Sequence, residues 1–461
     1  MNSRRPVVLK FGGESLAVPD DVVALVRETR RGGTVPVVVV ASARHGVTDL
    51  LRLVVDGAGP AAGELRSELE RLNPDLPPDA LPILDRTEAL ARRMGGRARR
   101  DPAARDELLS QGERLSAHWL AARLREGGVA AVPVESDRLG LMTDNSYGAS
   151  RILLEASAPG VREGLGKLLR RQQVPVVTGF FGRSLEGRTA TLGRGGSDYT
   201  ASALGGLLNA ARVDLVKRHV AIFTADPRLV PSARPVEHLS YEEAEEFAQF
   251  GARVLHPVTI EPVRLARVEV RVRSLHDGDL VTTIGPARAG AGNRTVTLLS
   301  PLRSISLRIA GGRQRPGVVG ALTARLTAAG INLAAIVTTE AVVGLLVEPP
   351  DAELAHQVLE PLAREMGATL GHPVAVALVS AVGEGILADL PMVRSTHLSG
   401  AQGVLATARS ISLVVPEERA IGALRAFHRA FVERRAPASP AKGTGAGLLA
   451  GSVPRAAAPR G

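Results

Sequence analysis

Two glycine-rich segments have residue types that suit an anionic ligand. The first is Lys10-Phe11-Gly12-Gly13-Glu14-Ser15, directly after the apolar run Pro6-Val7-Val8-Leu9. Adjacent glycines let backbone N–H groups approach an anion closely, and a following helix N-terminus adds positive potential. A lysine at the end of a strand supplies a point charge to a phosphate. The competing reading is a plain glycine turn with a surface lysine. The second segment is Thr191-Leu192-Gly193-Arg194-Gly195-Gly196-Ser197-Asp198-Tyr199-Thr200. Its glycines, serine and aspartate at a helix start suit a phosphate with Mg2+. Arg194 suits a carboxylate, which a guanidinium grips with two parallel hydrogen bonds. A capped helix, with Ser197 or Asp198 as N-cap, is compatible with that use.

Three other segments carry weaker signals. Ser42-Ala43-Arg44-His45-Gly46-Val47-Thr48-Asp49 is a loop after an apolar run, in which Thr48 could equally be an N-cap. Gln111-Gly112-Glu113-Arg114 falls on a helix, where a lone glutamate more often faces solvent. In Phe250-Gly251-Ala252-Arg253-Val254-Leu255-His256-Pro257, His256 reads as a structural hydrogen-bonding group before a proline at a helix start. Familiar alternatives fail. Gly166-Lys167 is followed by Leu168 and lacks phosphate-loop spacing. Neither His-Glu-x-x-His nor Gly-x-Ser-x-Gly occurs. Gly383-Glu384-Gly385-Ile386-Leu387-Ala388 fits a dinucleotide fingerprint, but Pro391 interrupts the required helix and no acid follows about twenty residues on.

These segments need a scaffold, and the chain supplies alternating elements. Short β-branched runs at 6–10, 35–41, 174–178 and 268–272 are each followed by a small-residue loop or an amphipathic stretch. That alternation implies βαβ units around a mostly parallel, buried sheet. Helices are expected at 20–31, 104–125, 198–210, 241–250 and 257–266, with Ser240 and Glu243 forming a capping box. Residues 60–110 read as a helical insertion. After about residue 285 a Gly/Ala/Pro-rich stretch reads as a linker. Beyond it, strands at 304–309, 332–338 and 342–348 and helices at 318–329 and 351–365 begin two βαββαβ cycles, which suggest two small ferredoxin-like modules. The second cycle starts at 374–379 and ends with a strand at 410–415 and a helix at 417–434.

Composition narrows the function classes. The 461 residues allow about three domains. The chain has no cysteine, which excludes disulfides, thiolate-held metals and thiol catalysis. Aromatic residues make up only 3%, too few for single-strand stacking platforms. The net charge of +10 is scattered among acids, so no nucleic-acid partner is expected. No apolar run approaches a membrane span and no secretory leader is visible, so a cytoplasmic location is expected. Only four of the 57 basic residues are lysines (Lys10, Lys167, Lys217 and Lys442), which draws attention to each one retained.

Taken in order, the five segments resemble the aspartate kinase branch of the amino-acid kinase family. The resemblance runs from about Val7 to Glu433. Its most specific pieces are Lys10–Gly13, Met142-Thr-Asp-Asn-Ser-Tyr-Gly148, Gly187–Asp198, Phe223-Thr-Ala-Asp-Pro-Arg228 and Phe250–Pro257. The two C-terminal modules resemble ACT domains, which in that family bind end-product amino acids.

The resemblance implies ATP-dependent phosphorylation of the β-carboxylate of L-aspartate to 4-phospho-L-aspartate, with ATP and Mg2+ as cofactors. It makes Lys10, Asp198 and Arg253 catalytic, with Asp198 near Mg2+. Ser42, Thr48, Glu113, Arg194 and Ser197 would bind substrate, with Glu113 taking the ammonium and Arg194 the α-carboxylate. Lys10, Gly12, Gly13, Lys217, Arg218, Phe223, Arg228 and Arg253 would contact nucleotide. The implied domains are a catalytic domain at 1–285, a linker at 286–298, ACT-like modules at 299–372 and 373–435, and a disordered tail at 436–461. Lysine or threonine is the implied effector, and a homodimer or higher homo-oligomer the implied assembly.

The chain departs from the family pattern on the nucleotide side. A Thr-Asp pair has become Lys217-Arg218, the family lysine of the Phe-Gly-Ala-Lys piece is Arg253, and Glu14 replaces a small residue. The segment after Pro391 is also shorter than a full ACT helix. A catalytically weakened paralogue, acting as an amino-acid sensor or regulatory subunit, is therefore the alternative reading.

Overall fold

Strands buried on both faces need unbroken apolar runs, and the first half of the chain provides them. The computed structural model describes residues 5–94, 100–218, 222–250, 255–278, 280–287, 296–309, 316–389 and 401–433. β1 (Val7–Phe11), α1 (Pro19–Arg30), β2 (Val37–Ala41) and α2 (Val47–Asp56) open the fold, and every residue of both strands is buried. Next come α3 (Ala62–Leu72), α4 (Leu81–Arg93), α5 (Pro102–Leu109) and α6 (Gln111–Glu126). The single helix expected at 104–125 is thus two. Ser110 Oγ and Gln111 Nε2 both donate to the Glu107 carbonyl, competing with the helical ladder at the junction. The insertion packs as a layer of its own, with Leu65, Leu69, Leu84 and Leu108 against Leu51 and Leu115.

The first half continues through β3 (Ala131–Val134), the short α7 (Ser136–Leu139), β4 (Met142–Thr143), α8 (Leu154–Arg170), β5 (Val174–Thr178), β6 (Phe181–Ser184), β7 (Thr189–Thr191) and α9 (Gly196–Leu207). β8 (Arg212–Lys217), β9 (His238–Ser240), α10 (Tyr241–Gln249), α11 (Glu261–Ala266), β10 (Glu269–Ser274) and β11 (Val281–Gly285) complete it. The main sheet runs β3-β5-β2-β1-β8-β10-β11-β9, with only the β10–β11 pair antiparallel. Strand alternation divides its two faces. Val8, Val213 and Leu215 face the core under α9, while Val7, Leu9, Phe11 and Val216 face the core under α6. The expected capping box is present, with Ser240 and Glu243 bonded in both directions.

The second half forms a single antiparallel sheet. It contains β12 (Val296–Ile309), α12 (Val318–Ala328), β13 (Leu333–Thr338), β14 (Val342–Val347), α13 (Ala352–Glu365) and β15 (Ala368–Leu370). β16 (Val374–Val382), β17 (Gly403–Ala406), β18 (Ser410–Pro416) and α14 (Ala420–His428) follow, and α14 ends in a wide turn at Arg429–Glu433. The strand order is β13-β14-β12-β16-β18-β17, with β15 also on β12. The strand expected at 304 starts at Val296, because Ser300, Pro301 and Arg303 break the apolar run without breaking the strand. Its first part pairs with β16 and its last part with β14, so both modules share one strand. The fingerprint-like Gly383–Ala388 runs into a short 3-10 turn at Ile386–Asp389, and the residues that follow it, 390–400, lie outside the described residues, as does the expected tail.

Candidate active site

In an open parallel sheet, ligands sit beyond the carboxyl ends of the strands. Lys10 is the penultimate residue of β1 there, Ser42 follows β2, Gly179 follows β5, and Lys217 closes β8. Alternation puts the Lys10 side chain on the face shared with Val8, and Lys217 on the face shared with Leu215. These are one face of the sheet, and it meets the first turn of α9, where Asp198 sits. Lys10 Nζ lies 2.7 Å from Asp198 Oδ1, and Lys217 Nζ donates to Asp198 Oδ2 at 2.8 Å. The Lys10 and Asp198 side chains are almost fully buried, and Lys217 is 21% exposed. Burial lowers the Lys10 pKa, partly offset by Asp198. For Asp198, burial works against ionisation, but the two ammonium charges outweigh it and hold the carboxyl well below its usual range.

The loops close in around this triplet. A Cβ on Gly13 would sit 2.7 Å from the Ala43 carbonyl oxygen, so only glycine lets the first loop rest on the 42–46 loop. Ser197 Oγ donates to Ser42 Oγ at 3.3 Å. The Ala43 N–H donates to Glu113 Oε1 at 3.0 Å. Far from facing solvent, Glu113 is buried, its Oε2 lacks a hydrogen-bond partner among the described residues, and burial pushes its pKa up to about 8. Arg114 holds this part of α6 by ion pairs to Glu135 and Asp137 while its guanidinium lies over the Phe181 ring.

Several local expectations are corrected. Neither Ser197 nor Asp198 caps α9; Gly195 does, at φ +73°, a left-handed conformation that favours glycine. Gly46, not Thr48, precedes α2, and Thr48 sits partly buried in its first turn. His256 Nδ1 is buried without a hydrogen-bond partner among the described residues, and the imidazole packs close to Gly195. Arg194 stands exposed, with Glu348 of the first module as its ion-pair partner at 3.5 Å among the described residues. Arg228 is exposed and paired with its neighbour Asp226, while Phe223 bridges to Pro235. Arg218 is half-buried, and its carbonyl accepts from Ser274 Oγ. Arg253 lies outside the described residues. Asp198 does not fit a protein-held Mg2+, since each of its oxygens already faces an ammonium group. Among the described residues no cluster of acids or histidines could hold a metal.

The sequence reading missed Asp106 on α5. Its Oδ2 accepts from the backbone N–H groups of Gly148 (2.8 Å) and Thr191 (2.7 Å), tying two of the recognised segments together. A lone aspartate on a helix carries no signal for that. The grip of the second module on the catalytic half was also missed. Glu243 accepts from the Glu384 N–H, and Glu246 accepts from Thr407 and Ser410. The fully buried His428 bonds Thr224 Oγ1 through Nε2 and Glu433 through Nδ1.

The comparisons with known proteins point to one family. The sequence pattern of the amino acid kinase family matches residues 5–274. An aspartokinase of Thermus thermophilus is 31% identical, over 75% of this chain and 87% of its own. The crystal structure of E. coli aspartokinase III in complex with aspartate and ADP (R-state) superposes with a TM-score of 0.78 at 25% identity, covering 92% of this chain and 99% of that one. The same enzyme in complex with lysine and aspartate (T-state) gives 0.75 at 26%, over 93% and 99%. No helix among the described residues is long and apolar enough to cross a membrane. The chain belongs to the amino acid kinase family, in its aspartokinase branch.

Proposed function

We propose that the protein transfers the γ-phosphoryl group of ATP to the β-carboxylate of L-aspartate, giving 4-phospho-L-aspartate. The observation that carries this reading is the Lys10–Asp198–Lys217 triplet at the carboxyl ends of β1 and β8, with Glu113 and the Ser42–Ser197 pair beside it. The acceptor carboxylate is already an anionic nucleophile, so no strong general base is needed. The chain's contribution is positioning and charge neutralisation. Lys10 and the N–H groups around Gly12 and Gly13 hold phosphate oxygens, and Arg253 adds a further charge. Glu113 takes the substrate ammonium, and Arg194 forks onto its α-carboxylate. Mg2+ enters with the nucleotide phosphates and lends charge neutralisation there. Phe223, Arg218 and Arg228 border the nucleotide.

The two C-terminal modules are read as an ACT-like pair that binds an amino-acid effector, lysine or threonine, and supports a homo-oligomer. The solved neighbour bound to lysine supports this. An ATP-dependent aspartyl hydroxamate assay on the purified chain tests the activity. Turnover with aspartate and ATP is expected, and none in an otherwise folded preparation overturns the reading. Thermal shift with lysine, threonine and their mixture tests the effector; no shift with any of them removes the regulatory half of the proposal.

A further inference from the structure

We propose that Lys217 is a second phosphate-directed ammonium of the transfer site, and that it lets this chain hold a nucleoside polyphosphate with little dependence on a divalent cation. The proposal rests on the phosphotransfer reading and deepens it. Lys217 is where the family pattern has a threonine, so this is a property of the present chain.

Backbone register fixes where this lysine can reach. β1 and β8 are adjacent and parallel, with Lys10 opposite Leu215. Lys217 is one pleat further toward the carboxyl edge and on the same face as Leu215. Its backbone is held too: Lys217 lies opposite Ser274 of β10, and its carbonyl accepts from the Leu275 N–H at 2.7 Å. The ammonium group is thereby brought to Asp198, 2.8 Å from Oδ2, while Lys10 takes Oδ1.

The chemistry follows from donor counting. An ammonium group has three N–H donors. Lys217 donates one to Asp198 Oδ2 and keeps two for a ligand, while Lys10 is held beside Oδ1 as an ion pair at 2.7 Å. One carboxylate thus orients two ammonium groups, and the triplet keeps a net positive charge. Lys217 is the more exposed of the two, so a ligand arriving from solvent can reach its spare donors. Charge that a divalent cation otherwise brings to a polyphosphate is supplied by a side chain. Asp198 is correspondingly committed to lysines and does not ligate a metal.

The test is calorimetric titration of the full chain with ADP, in Mg2+ and in EDTA at matched ionic strength. It is run on the wild type, Lys217→Met and Lys217→Arg, with melting curves recorded for each. The wild type is expected to bind ADP in EDTA within about tenfold of its affinity in Mg2+. Lys217→Met should lose about 10- to 100-fold in EDTA, the usual range for a hydrogen bond to a charged group. Its loss in Mg2+ should be smaller, and Lys217→Arg should recover most of the metal-free affinity. Equal affinity of Lys217→Met and wild type in EDTA overturns the proposal while leaving the kinase reading intact. A wild type that binds ADP only with Mg2+ overturns it without reference to any variant. Failure of the wild type to bind ADP under either condition, with no hydroxamate formed, overturns the phosphotransfer reading itself.

Discussion

The inner and outer parts of the proposed site are built differently. At the inner end, Lys10, Asp198 and Glu113 are buried, and each is fixed by groups within the catalytic half. At the outer end, Arg194 and Arg228 are exposed and paired with surface acids. Ion pairs of the second kind contribute about 0–1 kcal/mol. The inner geometry is therefore set by folding, before any ligand arrives. The outer geometry is set by the ligand, or by whichever acid competes for the arginine.

The largest effect should come from the inner end. Lys10→Ala removes a preorganised charge next to Asp198 and should lower kcat by about 10²–10³. Near-normal turnover in steady-state kinetics would place Lys10 outside the chemistry.

Glu113 comes next. It must be ionised to hold an ammonium, and its pKa of about 8 lies above the unfolded value. The KM for aspartate should fall as pH rises from 6 to 8, by up to roughly tenfold per unit, and Glu113→Gln should flatten that dependence. The sign for stability is opposite. A carboxyl whose pKa is raised by folding disfavours the fold as pH climbs between its unfolded and folded values. Glu113→Gln should therefore melt higher than wild type at pH 9. A pH-independent KM in the wild type would move the ammonium site elsewhere.

At the outer end, Arg194→Lys keeps the charge but loses the planar fork. KM for aspartate should rise about tenfold while KM for ATP stays put. Equal changes in both would make Arg194 structural. The smallest effect belongs to Glu348→Gln. If Glu348 competes with the substrate carboxylate for Arg194, its removal should lower KM for aspartate by no more than about fivefold, the size of a surface pair. An increase would show that the pair positions Arg194 instead.

Legibility in the sequence follows the same division. The Gly12-Gly13 and Gly193–Asp198 loops were readable because several residue types with one use are crowded into few positions. The strands that carry them were readable because burial on both faces demands apolar runs. Glu113 was harder, because nothing in a helical Gln-Gly-Glu-Arg tells a core-facing carboxylate from a solvated one. Its burial depends on Ala43 and Arg114, which arrive through the tertiary fold. Asp106 was invisible for the same reason, since both its partners are backbone N–H groups of distant loops. Lys217 could be noticed as a departure, but its reach to Asp198 needed the register of β8 on β1. The start of β12 was hidden by Pro301, which occupies a paired position opposite Ala377 in a strand that reads as loop.

The loop at 222–236, proposed to border the nucleotide, belongs structurally to the second module. Ala225 and Val230 sit in one apolar cluster with Val379, Leu413, Phe427 and Phe431, and Thr224 is bonded to His428. This sets where the gene can be cut. A fragment ending at Gly285 would bare those two side chains to water and leave Thr224 without its imidazole partner. Exchanging effector specificity with a relative by swapping everything after residue 285 would put a foreign surface against this loop. A chimera that keeps its nucleotide edge intact has to carry residues 222–236 along with the module, as part of the same insert.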